Sequence, residues 1–512
     1  MVPTVRFSPP YVLAFDVGTT GCKTVLVDSE GRLAHEMTRD YPSITSASGV
    51  FEQDPAEWLR SIRATTRMVT KRVKKEDLAG AGFCGTMAGA LPLDKAGRPL
   101  RNAIMYADTR GADQTDKIAK RFSARDVYAT TGNPLSPVYS LTKWMWIKEN
   151  EPQKFAKTFK LVQSKDFLVC QFTGEIVTDY VDASATMAFN VTKKTWDWEL
   201  LEAGGIPADK LPEPKCSLDV AGEVSGEAAE TYGLRKGLPV IVGCGDTAAL
   251  LGGTGAVQNG SATVYLGAAA EIDLATDRPL FSSNAFIPVR CHAVPDMWFN
   301  SASAVTSGTA LRWFKNQFCS RTETYQRMDA EASKVPVGSG GLTFLPHLSG
   351  ERMPMWDPKA RGAFIGISTA SSKAHFYRAV LEGVAFSLRS ISDAYGDMGV
   401  AFKNASISGG GAESRLWRQI VVDVLGIPCV TLARPEVTSA IGVALYINGA
   451  LNGRKRMSEM MQKAVEIRER VLPDKENVRK YERFYRIYRR CYPALAEIMH
   501  SLVEETRSTG PA

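Results

Sequence analysis

Apolar positions along this chain follow two alternating periods. Short β-branched or small-residue runs, ended by glycine or aspartate, recur at Tyr11–Phe15, Lys23–Val27, Gly80–Gly85, Val240–Val242, Ser261–Leu266 and Ala405–Ser408. Such runs, bounded by turn residues, predict buried strands. Between them the spacing lengthens to three and four. Trp58, Ile62, Thr65, Val69 and Val73 follow a helix start at Asp54-Pro55-Ala56-Glu57, with Asp54 as N-cap and Glu57 closing a capping box. Thr142–Ile147, with Lys143, Trp144 and Trp146, starts an aromatic-rich helix. Further helices are predicted from about Ala374 to Tyr395, over Ser414–Leu425, and through the tail Val478–Val503, whose arginines read as a solvated face.

Two stretches share one outline. Tyr11–Asp28 is a strand, a turn Asp16-Val-Gly-Thr-Thr-Gly-Cys22 and a second strand, and Ser261–Ala275 repeats the strand, glycine turn and strand. Two copies roughly 250 residues apart predict a duplicated architecture with a cleft between the halves. The expected domains are 1–254 and 255–512. A length of 512 residues agrees, since it exceeds what one core ordinarily fills.

Composition narrows the class. Hydrophobic content of 44% and charged content of 23% are those of a globular protein. The net charge of +7 is diffuse apart from the stretches Arg454–Arg456 and Arg479–Arg490, so nucleic acid is not expected. Nine cysteines without paired spacing predict reduced, mostly buried thiols. The polar leader Met1–Pro10 and the absence of long apolar windows predict a cytoplasmic protein without a membrane span.

The first turn gathers Asp16, Gly18, Thr19, Thr20 and Lys23. Freed N–H groups and hydroxyls can wrap phosphate oxygens, Lys23 adds a point charge, and Asp16 can hold a metal ion through water. A plain glycine turn with a solvated lysine is the alternative. Asp246, between Gly245 and Thr247 at the end of the Val240 strand, is either a general base or the cap of a helix starting at Thr247. Asp108 and Arg110 either grip a polyhydroxylated ligand or form a surface ion pair. Asp179–Asn190 reads as a loop lining a cleft. Gly409, Gly410 and Gly411, between a strand and the helix at Ser414, make an anion or nucleotide site.

Taken in order, these motifs resemble the FGGY carbohydrate kinases, of the actin-like (ribonuclease H-like) fold, from about Tyr11 to Leu495. The family's segments are matched by Asp16–Lys23, by Glu52-Gln-Asp-Pro55 with Trp58, by Gly243-Cys-Gly-Asp246-Thr-Ala, by Ser349-Gly-Glu-Arg352, and by Ser408-Gly-Gly-Gly411 with Ser414, Trp417 and Gln419. Cys291-His-Ala293, Trp298 and Trp313 are most similar to the xylulokinase branch. The resemblance implies two α/β domains, each with a five-stranded mixed sheet, closing over ATP and a sugar or polyol. It implies Asp246 as catalytic base, Asp16 and Asp246 near Mg²⁺, and Gly267, Trp313, Gly409, Gly410, Gly411 and Ser414 at the nucleotide. Met87, Ala88, Asp108, Asp246 and Thr247 would meet the sugar. A homodimer is an expected assembly.

Two positions depart from the family pattern. Met87-Ala88-Gly89 stands where xylulokinases show Met-His-Gly, and Ala268, Ala269 and Ala270 follow Leu266-Gly267 where hydroxyls are expected. The second departure supports a weaker or non-catalytic relative that senses nucleotide or sugar. Gly409-x-Gly411-x-x-Ser414 also approaches a dinucleotide fingerprint, with Glu436 as its acidic candidate.

Overall fold

Tyr11–Val17 (β1) and Gly21–Val27 (β2) are buried along nearly their whole length, and the chain reverses between them with the Gly18 N–H donating to the Gly21 carbonyl at 3.0 Å. In this computed structural model, which describes residues 7–46, 49–353, 355–453, 455, 457, 459–461 and 465–508, the hairpin sits inside a mixed sheet. Arg454 and Arg456 of the basic stretch, and the first six residues of the leader, lie outside the described residues.

Leu33–Asp40 (β3), Leu78–Gly85 (β4), Val220–Glu223 (β5), Pro239–Ile241 (β6) and Cys244–Gly245 (β7) complete the first sheet, in the order β5-β6-β4-β1-β2-β3 with β7 also on β4. The second sheet comprises Ala262–Leu266 (β8), Ala270–Thr276 (β9), Val289–Cys291 (β10), Trp298–Ala304 (β11), Ala405–Ser408 (β12), Cys429–Leu432 (β13) and Ile467–Val471 (β14). Its order is β10-β11-β9-β8-β12-β13-β14. One pattern underlies both. β3-β2-β1-β4-β6 and β11-β9-β8-β12-β13 are each antiparallel through the hairpin and parallel beyond it. The five-stranded expectation is therefore short by two strands per sheet. The extra strands β5, β7, β10 and β14 are two to five residues long, too short to show a period.

The helices that bear on the site are Pro55–Val69 (α1), Ser140–Asn150 (α2), Ser164–Thr173 (α3), Asp246–Thr254 (α4), Gly308–Phe318 (α5), Lys373–Asp397 (α6), Arg415–Leu425 (α7), Thr438–Asn452 (α8) and Lys475–Ser508 (α9). Asp54 caps α1 as expected, accepting the Ala56 N–H at 2.9 Å, but Glu57 pairs with Arg60 instead of closing a capping box, and Val73 lies past the helix end. α8 follows the second sheet in sequence and packs on the first, with Ile447 against Gly80 and Gly82 of β4. α4 and α8 cross almost backbone to backbone. A Cβ on Gly442 would stand 1.9 Å from the Ala249 carbonyl, so no larger residue fits there. All nine cysteines are free and six are buried. Among the described residues no helix is long and apolar enough to cross a membrane.

Candidate active site

The first turn is held from behind. Its carbonyls are taken: Gly18 O by the Tyr41 hydroxyl at 2.6 Å, Thr19 O by Gln53 Nε2 at 2.7 Å, and Thr20 O by the Tyr41 N–H at 3.1 Å. Gln53 is itself buried and accepts the Trp58 indole N–H at 3.0 Å. The Glu-Gln-Asp-Pro-x-x-Trp segment therefore does more than begin a helix: Gln53 and Trp58 brace the turn. The N–H and hydroxyl groups of Thr19 and Thr20 are left without partners among the described residues. That is the form of an anion cradle.

Asp16 lies opposite Lys23 in the hairpin register, with Nζ 3.5 Å from Oδ2, and Cys84 Sγ donates to Oδ1 at 3.6 Å. Burial pushes the Asp16 carboxyl up, against the pull of Lys23. Lys23 is itself lowered by burial and raised by Asp16, and the net shift is upward. Lys23 is thus a paired, half-buried group, not a solvated one.

Asp246 is the first residue of α4, and Gly245 occupies the cap position with no side-chain hydrogen bond. Asp246 Oδ1 accepts the Thr247 N–H at 2.8 Å, with the Thr247 hydroxyl at 3.4 Å. Oδ2 has no partner among the described residues. The carboxylate is thus not a helix cap in the usual sense. Burial raises its pKa to about 7, with Asp16 and then Glu271 adding to the rise and the Thr247 N–H opposing it. Glu271, on β9, stands cross-strand from Tyr265 and is raised by burial, with Arg352 pulling it down. Tyr265 feels Glu271, Lys23, Asp246 and Asp16 together, so acids from both halves meet at one place.

The residues expected at the sugar divide. Met87 packs on the chain just ahead of Asp246: a Cβ on Gly245 would be 2.3 Å from its sulfur. Ala88 is buried with φ +59°, a left-handed conformation that strains an alanine by about 1–2 kcal/mol. Asp108 is a correction. It is fully buried, Oδ2 accepts the Phe51 N–H at 2.8 Å, and Oδ1 accepts the Arg110 N–H at 3.0 Å. Arg110 bridges it to Glu52 and lies over the Trp146 ring at 4.5 Å. This carboxylate orders its loop and is not presented to a ligand. The pair is not a surface pair either.

Two buried lysines went unseen in the sequence. Lys143 on α2 has no carboxylate partner among the described residues. Its ammonium donates to the carbonyls of Val138 at 2.6 Å, Ala88 at 2.7 Å and Tyr106 at 3.3 Å, which holds the strained Ala88 turn in place. Lys165 on α3 lies 2.6 Å from Asp166, 3.0 Å from Asp179 and 3.5 Å from Asp182. Asp179–Asn190 is accordingly no open loop. Its acids are buried around Lys165, and the Lys165 stem runs under Gly243, close behind Asp246.

In the second half a cavity of about 420 Å³ is lined by Gly267, Ala268, Gly308, Arg312, Gly410, Gly411 and Ser414, among others. Gly409 turns the chain at its edge with φ +90°, and Ser414 caps α7 by accepting the Trp417 N–H at 3.0 Å. Trp417 is fully buried, its indole N–H donating to the Leu381 carbonyl at 3.1 Å. Trp313 is a second correction. Gly308, Leu311 and Arg312 share the cavity face of α5, whereas Trp313 stacks on Phe344 and Phe364. At the alanine turn a hydroxyl is present from elsewhere, for Thr309 Oγ1 donates to the Ala268 carbonyl at 3.0 Å.

Residues 11–252 match the N-terminal domain, and residues 272–450 the C-terminal domain, of the FGGY family of carbohydrate kinases. The chain belongs to that family. It is 30% identical over 499 residues to a xylulose kinase of Lactococcus lactis, covering 96% of this chain and 99% of the relative. It is also 30% identical over 465 residues to a gluconokinase of Bacillus subtilis, covering 88% and 90%. The crystal structure of a xylulose kinase from Rhodospirillum rubrum is similar with a TM-score of 0.89 at 28% identity, over 96% of this chain and all of that one. A gluconate kinase from Lactobacillus acidophilus gives 0.90 at 25%, over 96% and 99%. This FGGY kinase thus has the expected pair of actin-like domains, and the dinucleotide reading of Gly409–Ser414 falls with the fold.

Burial pulls the Lys143 pKa from 10.5 down to about 7. Between those values the unfolded chain binds the extra proton, so the Lys143 contribution to stability rises with pH over that window. Urea unfolding at pH 7 and pH 9 should show the wild type gaining about 2–3 kcal/mol relative to Lys143→Met, at 1.36 kcal/mol per unit. Equal gains in both proteins would return Lys143 to an ordinary titration.

Proposed function

We propose that this FGGY kinase transfers the γ-phosphoryl group of ATP to a hydroxyl of an uncharged ketose or polyol, a ketopentose first among them. The observation that carries the reading is Asp246. It has one oxygen engaged by Thr247, the other without a partner, and a pKa of about 7, where a general base works best. Asp246 takes the proton of the sugar hydroxyl as that oxygen bonds to the γ-phosphorus and the bond to the ADP oxygen breaks. The N–H groups of Thr19 and Thr20, Lys23, and the Gly267–Ala268 turn are placed to hold phosphoryl oxygens, and Gly410, Gly411 and Ser414 to hold the nucleotide. Positioning and charge stabilisation, not covalent protein chemistry, supply the rate.

Asp16 and Asp246 suit a magnesium ion, because burial holds both carboxyls above their usual range, the charge of Asp16 adds to the rise at Asp246, and hard oxygen donors are what that ion takes. Such an ion, when bound, neutralises phosphate charge. Asp16, Asp246 and Glu271 also make the cleft acidic, which disfavours a sugar acid such as gluconate and favours a neutral sugar. Ala88 leaves space where xylulokinases carry an imidazole.

Coupled assays of ADP release across ketopentoses, pentitols, hexoses and gluconate test the reading. The expected result is a neutral ketopentose-class sugar with at least tenfold the kcat/KM of gluconate, about 1.4 kcal/mol of discrimination. Preference for gluconate would overturn the substrate class, and binding without transfer to any sugar would leave the sensor reading. Ala268→Thr should raise kcat by about 10- to 100-fold, since a hydrogen bond to a charged group contributes about 1.5–3 kcal/mol and the Thr309 hydroxyl proton is already committed to the Ala268 carbonyl. Steady-state kinetics of the two proteins on the identified sugar measure this.

A further inference from the structure

Glu271 is a carboxylate that the phosphoryl transfer does not use. Its neighbours on β9, Ile272 and Leu274, point into the core of the second half, so Glu271 points from the opposite face, with Tyr265 of β8 and Ser303 of β11 beside it. Thr263 of β8 shares that face and meets Thr254 at the C-terminal end of α4. Two residues along the strand, Tyr265 and Glu271 lie toward the other end of the helix, which Asp246 begins. The charge of Glu271 reaches Asp246, and Tyr265 feels both. Glu271 is half-buried, and among the described residues neither a hydrogen bond nor an ion pair engages it.

Arg352 stands across from it. The loop that carries Arg352 is fixed by Glu351, whose Oε1 accepts the Val305 N–H and the Arg352 N–H, each at 2.9 Å, while His347 Nδ1 lies 2.8 Å from Oε2. Val305 follows Ala304, the ladder partner of Ala270, so the loop is pinned beside the start of β9. The Arg352 side chain is exposed and has no partner among the described residues, and its charge is the one that pulls on Glu271. A carboxylate and a guanidinium thus face each other across open cleft next to the reacting oxygen, without forming an ion pair.

Overall likeness does not separate neutral from acidic substrates, since the Lactococcus xylulose kinase and the Bacillus gluconokinase are equally similar to this chain. A charged group at the sugar does. Hydroxyls of a neutral sugar can donate to Glu271, whereas the carboxylate of a sugar acid meets a like charge there. Specificity of this kind comes from a repulsive element as much as from an attractive one. Without the Glu271 charge, Arg352 would present an unbalanced fork of N–H donors, which suits a carboxylate.

We propose that Glu271 is the residue that excludes sugar acids, and that it masks a latent aldonate subsite centred on Arg352. The proposal rests on Asp246 as the base beside the sugar, and goes beyond it by assigning the discrimination to one side chain of the second half.

Calorimetric titration of the full chain with gluconate and with xylulose, without nucleotide, tests it independently of turnover. Glu271→Gln should tighten gluconate at least about tenfold by removing a like charge, and weaken xylulose about threefold, because a neutral amide replaces a charge-assisted acceptor. Glu271→Ala should tighten gluconate in the same direction. Arg352→Ala alone should bring no such gain, and the double variant E271Q/R352A should lose it, which a general loosening of the cleft would not do. Unchanged thermal midpoints show that the fold is intact. A protein that binds sugars in this pattern but transfers no phosphate would lose Asp246 as base and keep Glu271 as discriminator. Gluconate binding no more tightly to either Glu271 variant than to the wild type, or keeping its gain once Arg352 is also replaced, would overturn the proposal.

Discussion

Asp246→Asn should lower kcat by about 10² to 10⁴, the usual contribution of a positioned general base. The amide keeps the shape of the carboxylate and can still meet the Thr247 N–H through its oxygen, so α4 should start at the same residue. It cannot accept the sugar proton. Nucleotide affinity should hardly change, because the cavity bounded by Gly267, Arg312 and Gly411 lies in the other half. The measurement is single-turnover transfer at saturating sugar and ATP, with nucleotide binding followed separately by calorimetry. A variant that turns over within threefold of the wild type would reduce Asp246 to the first residue of a helix and nothing more.

The second large effect concerns stability. Lys165 is 1% exposed and is the only cation ion-paired with Asp166, Asp179 and Asp182 among the described residues. Burial and then the charge of Asp179 push Asp182 well above the usual carboxylate range. Lys165→Met removes the cation and leaves the remaining negative charge buried. Breaking a buried pair in this way costs about 3–5 kcal/mol. The midpoint of thermal unfolding should fall by about 5–15 °C. Little of the loss should depend on salt, since buried charges are weakly screened. Asp182→Asn in the same chain should recover part of it. A single variant melting within 1 °C of the wild type would show that the cluster is electrostatically slack.

The two predictions rest on residues of very different legibility. Asp246 could be read because its surroundings are local: a β-branched run, glycines, and a small-residue helix within sixteen positions. The hairpins Tyr11–Asp28 and Ser261–Ala275, and the glycine turn at 409–411, were readable for the same reason, and with them the duplicated fold. Lys143 and Lys165 were not. A lysine in sequence looks like surface, and only contacts distant along the chain, such as Ala88 with Lys143, reveal otherwise. Asp108 misled for the converse reason, since the Phe51 N–H that occupies it is 57 residues away. Trp313 failed on helical phase: one residue past Arg312 turns a side chain about 100°, from the cavity to the aromatic cluster behind it. Gln53 stands between these cases. The segment was recognisable, but its bond to the Thr19 carbonyl is a fact of tertiary structure.

The short helix α4 joins the two halves at their most demanding point. It begins with Asp246, and at its other end the Thr254 hydroxyl is 2.6 Å from the Thr263 hydroxyl of β8, while Ser406 of β12 donates to the Thr254 carbonyl at 3.1 Å. Mechanically it is a rod clamped in the second sheet, with the reactive oxygen at the end that joins β7 of the first. Eight helical steps make the arm about 12 Å long, so a swing of about 5° at the clamp carries the tip about 1 Å. A displacement of that size is enough to change a rate by about a hundredfold. The smooth crossing of α8 at Gly442 is the fulcrum that the rod rests on, and its fit sets how much angular play the oxygen has.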